Sequence, residues 1–399
     1  MLKLERKCRD LLVEHFGWVA MMAVFFTGII VRCTLLPFIS DDFGNFYVPW
    51  MKEMRRFGGN AMVEDGRFNY SPLFFYLYKI VGDIFPNAKA EALCKAMSVL
   101  PEMALSLVCV AVLDRALRPA GTKIGVRTFL VFAAFWLNPL LILSGAAWGQ
   151  TDCYYVLFSL LAVWLMIRGK PVWAIAALGV SCSWKLQGIF LVPLVILMYL
   201  CGAKRFSILW LLLIPAVMTA SSLPMALVEL DPLQIFHCYF GQIGEHHLLT
   251  FNYPNLYGLL EQSGAYYSIL VPQGIGILGA VFCATAVCLI SRKKTLEGRT
   301  ILLVGAWSVL MCVFLLPSMH ERYALAGELL LLVYAIVSRS KKAGIAAVLC
   351  TLATMNAYLT YLVSPLYPVG MAVPMQLAAV ILTSWELWNC ITDGESQHS

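Results

Sequence analysis

Long apolar runs, separated by short polar breaks, organise this chain. They predict helices over 16–36, 92–114, 127–147, 152–168, 171–184, 187–201, 206–224, 271–291, 299–316, 322–338, 343–362 and 372–389. Most of the runs approach the roughly 20 apolar residues that cross a bilayer as a helix. No charge occurs from 343 to 385, a stretch too long for one helix, and Pro365 and Pro368 divide it. The runs 171–184 and 187–201 are short, with Lys185 at the break between them. Short or broken helices beside a charge often line internal cavities in membrane proteins. Ser71 to Phe85 is also apolar but short, and reads as a helix lying in the outer interface or dipping part-way into the membrane. The expected fold is an all-α polytopic membrane bundle of about twelve transmembrane helices, with interfacial helices in a long first exported loop.

Composition supports this reading. Of 399 residues, 60% are hydrophobic and 13% charged, against roughly a quarter charged in a typical globular chain. So few charges cannot cover a soluble fold of this size. A cytosolic Rossmann enzyme, a nucleic-acid-binding domain and a secreted disulfide scaffold are excluded. The thirteen cysteines form no CxxC pair and sit mostly in apolar runs, so no disulfide, zinc or redox site is expected.

The net charge of +6 fits basic loops holding the cytoplasmic face, not a nucleic-acid partner. With the N-terminus in the cytoplasm, that side receives Lys3, Arg6, Lys7, Arg9, Arg115, Arg118, Lys123, Arg127, Arg168, Lys170, Lys204, Arg205, Arg292, Lys293, Lys294, Arg299, Arg339, Lys341 and Lys342, which is 19 of the 29 basic residues. The expectation is one integral-membrane domain over 1–399. Residues 1–15 form a basic cytoplasmic N-terminus leading into an uncleaved first span. The exported loops are 37–91 and 225–270, and 390–399 is a polar cytoplasmic tail. The expected location is a bacterial plasma membrane.

Six polar clusters fall on the exported side. They are Ser40-Asp41-Asp42-Phe43 with Pro49-Trp50; Asn69-Tyr70-Ser71-Pro72; Trp148-Gly149-Gln150-Thr151-Asp152; Trp184-Lys185-Leu186-Gln187; Asn252 to Tyr257; and His320-Glu321-Arg322-Tyr323. A transporter more often places such groups at mid-membrane. An aspartate after the first span, Asp42 or Asp41, can act as a general base toward a hydroxyl. A helix cap would equally account for either acid, and for Asp152. Glu321 at a helix start suits the dipole, whereas Arg322 there does not. Its fork matches a phosphate, and Lys185 is a second cation facing the same compartment. Headgroup snorkelling is the alternative for each cation taken singly. His246-His247 lacks a partner at ligand spacing. Asp41 and Asp42 could hold a divalent ion, but no cofactor is favoured. Glu102 and Glu328 lie within spans, where a buried carboxylate satisfied by a partner is expected.

These pieces resemble a family. Asp42-Phe43-Gly44-Asn45-Phe46 with Pro49-Trp50, Asn69-Tyr70-Ser71-Pro72-Leu73, Trp148-Gly149-Gln150-Thr151-Asp152, Lys185-Leu186-Gln187, Asn255-Leu256-Tyr257 and Met319-His320-Glu321-Arg322-Tyr323 are similar, in order, to motifs of GT-C-type integral-membrane glycosyltransferases. Among these the chain most resembles bacterial relatives of the GPI-anchor second mannosyltransferase. The resemblance implies inverting transfer of a hexose such as mannose. The donor is a polyprenyl-phosphate-linked sugar, the acceptor a glycan or glycolipid, and the site faces the exported side. It makes Asp42 the base with Asp41 in reserve, and assigns the donor phosphate to Lys185, His320 and Arg322. Substrate contacts fall to Tyr70, Trp148, Gln150, Asp152, Gln187, Asn255, Glu321 and Tyr323. Trp184 departs from the small residue usual before the lysine. The rival readings are a lipid-linked-oligosaccharide flippase or polymerase and a secondary transporter.

Overall fold

The computed structural model describes residues 5–6, 9, 13, 15–58, 70–117, 126–226, 239, 248–260, 270–291 and 295–392. Asn69, Cys238, His246, His247, most of the loop 225–270 and the tail 393–399 lie outside the described residues. The described residues are helical nearly throughout. Among the described residues, 7 helices are long and apolar enough to cross a membrane. Shorter apolar helices cover Asp152–Ile167, Pro171–Trp184, Leu186–Cys201, Arg299–Leu315 and Leu325–Ser338. Each of these long and short helices overlaps one predicted span. The protein is an all-α polytopic membrane protein.

The elements are α1 (Phe16–Leu35), α2 (Val48–Phe57), α3 (Pro72–Ile84), α4 (Ala90–Leu117), α5 (Val126–Trp136), α6 (Pro139–Ile142), α7 (Asp152–Ile167), α8 (Pro171–Trp184), α9 (Val192–Cys201), α10 (Leu213–Ala226), α11 (Leu270–Ser291), α12 (Arg299–Leu315), α13 (Leu325–Ser338), α14 (Lys341–Leu362) and α15 (Val369–Thr392). Consecutive helices pack as antiparallel neighbours across short connections, as in α7 with α8, α12 with α13 and α14 with α15. One core joins α7, α8, α9, α12 and α15. A second joins α4, α5, α7, α13 and α14. A third lies under the segment between the first and second long helices, where α2, α3 and the start of α4 bury Phe43, Tyr47, Trp50, Met51, Phe74 and Tyr78.

Three departures from the apolar pattern shape the site. The run 127–147 is not one helix. α5 ends near Trp136, Asn138 caps α6 by accepting from the Leu140 and Leu141 N–H groups at 3.0 and 3.2 Å, and the helix widens into a π-turn over Leu143–Trp148. A second π-turn, Phe43–Tyr47, directly precedes α2. Such wide turns often occur at functional sites. Finally, the run expected to open at Arg322 becomes helical only at Leu325. Met319–His320 is instead β2, paired parallel with β1 (Thr250–Phe251). Glu321 is therefore not a helix cap, and its carboxylate accepts from the Asn252 amide at 2.9 Å.

The carboxylates within the spans are partnered. Glu102 binds the buried Arg32 fork through two hydrogen bonds at 2.8 and 2.5 Å. Glu328 accepts from the Thr354 hydroxyl at 2.5 Å.

Candidate active site

The pocket forms where three chain reversals meet. At the first, Trp148 ends a π-turn and Gly149 adopts a left-handed conformation at φ 80°. Gln150 and Thr151 then lead directly into α7 at Asp152. This reversal directs the Trp148 indole, the Gln150 amide and the Asp152 carboxylate toward one volume. A Cβ on Gly149 would lie 2.4 Å from the Phe43 ring, so only glycine lets this turn approach the first π-turn.

Asp42 reaches the same volume from the end of the first span. The Trp148 indole N–H and the Gln150 amide donate to its Oδ2 at 3.0 and 3.1 Å. The Tyr361 hydroxyl donates to Oδ1 at 2.7 Å and accepts from the Asp42 backbone N–H at 3.2 Å. Ser40 fastens the two segments by donating to the Trp148 carbonyl at 2.9 Å. Tyr361 also stacks on the Trp148 indole at 4.5 Å, and Tyr358 meets the same ring edge-on at 5.3 Å. These two tyrosines are three residues apart on α14, so they share one face of the helix.

The second reversal supplies a buried cation. α8 ends at Trp184, and Lys185 is extended before the 3₁₀ turn Leu186–Leu191. Its ammonium lies 2.5 Å from Asp152 Oδ1 and 3.1 Å from Gln150 Oε1. The two side chains are only 10% and 1% exposed, so Lys185 is no snorkelling lysine. Its ammonium also stands 5.2 Å over the Tyr70 ring. The Tyr70 hydroxyl pairs with the Tyr47 hydroxyl at 2.7 Å, and Tyr47 donates to Gln150 at 2.7 Å. Burial, with Tyr70 beside it, holds the Tyr47 phenol well above its usual range, so it stays a donor.

The third reversal, between β2 and α13, brings Arg322. Its guanidinium lies 3.9 Å from Asp42 Oδ2, 3.8 Å from Asp152 Oδ2 and 5.2 Å over the Trp148 ring. Burial opposes its charge most strongly, but Tyr70, Asp152, Tyr323 and Tyr47 together hold its pKa well above the ordinary arginine value. Neither carboxylate takes it as a hydrogen bond. Arg322 Nε and Asp152 Oδ2 are buried without a hydrogen-bond partner among the described residues.

The expected site residues thus divide. Asp42, Tyr70, Trp148, Gln150, Asp152, Lys185 and Arg322 form one network. Tyr323 borders it, its ring beside the Arg322 guanidinium and Gln187 against its hydroxyl. His320 sits at the edge, stacked on Phe251 at 4.3 Å and 5.1 Å from the Tyr323 ring. Glu321 is turned toward Asn252 and His320. The Asn255 side chain is fully buried and engaged with backbone. It accepts from the Tyr257 N–H and donates to the Leu249 and Leu316 carbonyls. That shapes the loop instead of presenting an amide to a ligand. Asp41 is exposed. Among the described residues, no three His, Cys, Asp or Glu side chains gather to hold a metal ion.

Tyr361 and Tyr47 were missed by the sequence reading. Tyr361 lies in the charge-free stretch, where nothing separates it from a membrane-facing tyrosine. Tyr47 could have been reached, since it follows the Asp42 to Phe46 motif directly.

A polytopic helical membrane protein with two acids and two cations around one pocket is the class that fold and geometry define. A family model, glycosyltransferase family 87, matches residues 68–316, more than half of the chain. The protein belongs to glycosyltransferase family 87. The matched region contains Trp148 to Asp152 and Lys185, while Asp42 lies before it and Arg322 and Tyr361 after it. No curated protein matches the chain at a significant level.

Proposed function

We propose that this glycosyltransferase moves a hexose, with mannose favoured by the motif resemblance, from a polyprenyl-phosphate-linked donor to a glycan or glycolipid acceptor. The reaction takes place on the extracytoplasmic face of a bacterial plasma membrane. Asp42 takes the proton of the acceptor hydroxyl as that oxygen bonds to C1 of the donor sugar. The C1–O bond to phosphate breaks on the opposite side, so configuration inverts. Its electron pair leaves with polyprenyl phosphate, which gains a negative charge.

Arg322 meets that growing charge, with Lys185 behind it and His320 at the rim. Lys185 is already neutralised by Asp152 at 2.5 Å, whereas Arg322 makes no hydrogen bond to either acid. The Arg322 fork is therefore the group best placed to grip a phosphate. Removing one preorganised contact of this kind costs about 3 kcal/mol of transition-state stabilisation. Tyr70, Trp148, Gln150 and Tyr323 line the sugar, and Gln187 supports Tyr323.

The observation that carries this reading is the 3.9 Å approach of Arg322 to Asp42. That distance supports the proposed pairing of a base with a phosphate-binding cation, because one sugar phosphate could contact both side chains. The test is Asp42→Asn in purified protein given labelled polyprenyl-phosphate sugar and acceptor. The variant should keep its fold and lose release of polyprenyl phosphate by at least about 100-fold, the scale of a general base. Near-normal turnover would remove the base assignment. Intact donor with the unsubstituted protein would favour a flippase.

A further inference from the structure

The Asp42 carboxylate does not present its two oxygens equally. Oδ2 receives both the Trp148 and the Gln150 donor, with the Arg322 guanidinium at 3.9 Å on the same atom. Among the described residues, Oδ1 receives only Tyr361, at 2.7 Å. An ionised carboxylate offers about four acceptor positions, two on each oxygen. Among the described residues, both on Oδ2 are filled and one on Oδ1 has no donor. The side chain is 28% exposed, so that open position can be reached from the pocket.

Tyr361 does more than fill the other position. Its hydroxyl accepts from the Asp42 backbone N–H at 3.2 Å while donating to Oδ1. One oxygen thus bridges the main chain and side chain of the same aspartate and fixes the carboxylate rotation. The tyrosine is itself fixed by its stack on the Trp148 indole at 4.5 Å, whose N–H holds the opposite oxygen. Two stacked aromatic rings therefore grip the two ends of one carboxylate.

We propose that Tyr361 is the positioning residue of the base, and that it makes Oδ1 the atom that accepts the acceptor-hydroxyl proton. The inference rests on the reading of Asp42 as the base. In the step, the proton passes to the open position of Oδ1 as the acceptor oxygen bonds to C1 and polyprenyl phosphate departs with the electron pair. Without the Tyr361 hydroxyl the carboxylate can turn on its remaining donors, and its ionised form loses one favourable contact.

The experiment compares Tyr361→Phe, which keeps the stacking ring, with Asp42→Asn and with Tyr367→Phe. Tyr367 serves as a control because its hydroxyl donates to the Leu352 carbonyl, in an exposed setting. Initial rates with labelled polyprenyl-phosphate sugar are measured across pH. For Tyr361→Phe, kcat should fall about 10- to 100-fold, the scale of a hydrogen bond to a charged group, with donor KM within about twofold. The acidic limb of the kcat profile should move up by about one pH unit, because losing a donor to the charged form disfavours that form.

The charged groups facing the carboxylate are Arg322 and, behind it, the Asp152–Lys185 pair, with Asp41 adjacent in sequence. All are unchanged in the variant, so a displaced limb belongs to the missing hydroxyl. Tyr367→Phe should match the unsubstituted protein. An unchanged kcat and limb would overturn the inference. So would a lower kcat with an unmoved limb and a lowered thermal midpoint, since that describes a packing role. If Asp42→Asn stays active, the base reading falls and takes this inference with it. If Asp42→Asn is dead but Tyr361→Phe is normal, only the inference falls.

Discussion

Lys185 and Asp152 show how tightly single residues are tied in this pocket. Each would be a costly solitary charge where it lies, and each is neutralised by the other at 2.5 Å. Gln150 joins them to Asp42, accepting from Lys185 at 3.1 Å while donating to the carboxylate at 3.1 Å. Lys185→Ala removes the hydrogen-bonded cation of the buried Asp152 and, among the described residues, leaves it the Arg322 fork at 3.8 Å, which makes no hydrogen bond to it. It should lower stability by about 3–5 kcal/mol, the scale for removing one partner of a buried pair. The loss should be smaller in the double variant that also carries Asp152→Ala. Thermal unfolding in detergent reads both, and equal losses in the two would show that the pair is not coupled.

Two elements, the π-turns at Phe43–Tyr47 and Leu143–Trp148, set the position of everything else in the site. They meet where Gly149 abuts the Phe43 ring. Lys95 holds the second turn from behind, donating to the Ala146 and Ala147 carbonyls at 2.7 and 2.9 Å. Gly149→Ala would force a side chain into a left-handed backbone position, at about 1–2 kcal/mol, and into overlap with Phe43. The expected result is a lower thermal midpoint together with lost transfer, since Trp148 and Gln150 flank the displaced residue. A variant with unchanged midpoint and turnover would contradict the close approach. The β1–β2 pairing acts similarly on the other side. Ser318 donates its N–H to the Leu249 carbonyl at 2.9 Å and its hydroxyl to the Leu248 carbonyl at 2.8 Å. Leu248 and Leu249 are thereby bound to the segment that supplies Arg322.

The whole molecule places its pocket at one end of the bundle, where α7 begins, α8 ends and α13 begins. The charge pattern predicts that this end faces the exported side. Impermeant thiol labelling of intact cells tests it. Lys52→Cys, at an exposed position on α2, should gain labelling over the unsubstituted protein. Lys204→Cys, exposed between α9 and α10, should gain it only after permeabilisation. The reverse pattern would put the site in the cytoplasm and remove the need for a lipid-carried donor.

Hydrophobic patterning by itself determined the order and approximate positions of the apolar helices. Burial of apolar side chains and satisfaction of the backbone in lipid leave a long apolar run little choice but a helix. The polar residues that interrupt those runs were legible for the same reason, because Asp42, Asp152, Lys185 and Arg322 stand out where charge is costly. Only the tertiary structure decided which of them share a pocket. Tyr361 reaches Asp42 across 319 positions, and one more tyrosine in a charge-free span carries no mark of that contact. Asn255 and Glu321 looked chemical in sequence, yet they are taken up in loop backbone and in a side-chain bond to Asn252. A hydrogen bond depends on where two chain segments are brought to rest, and local residue type does not encode that placement.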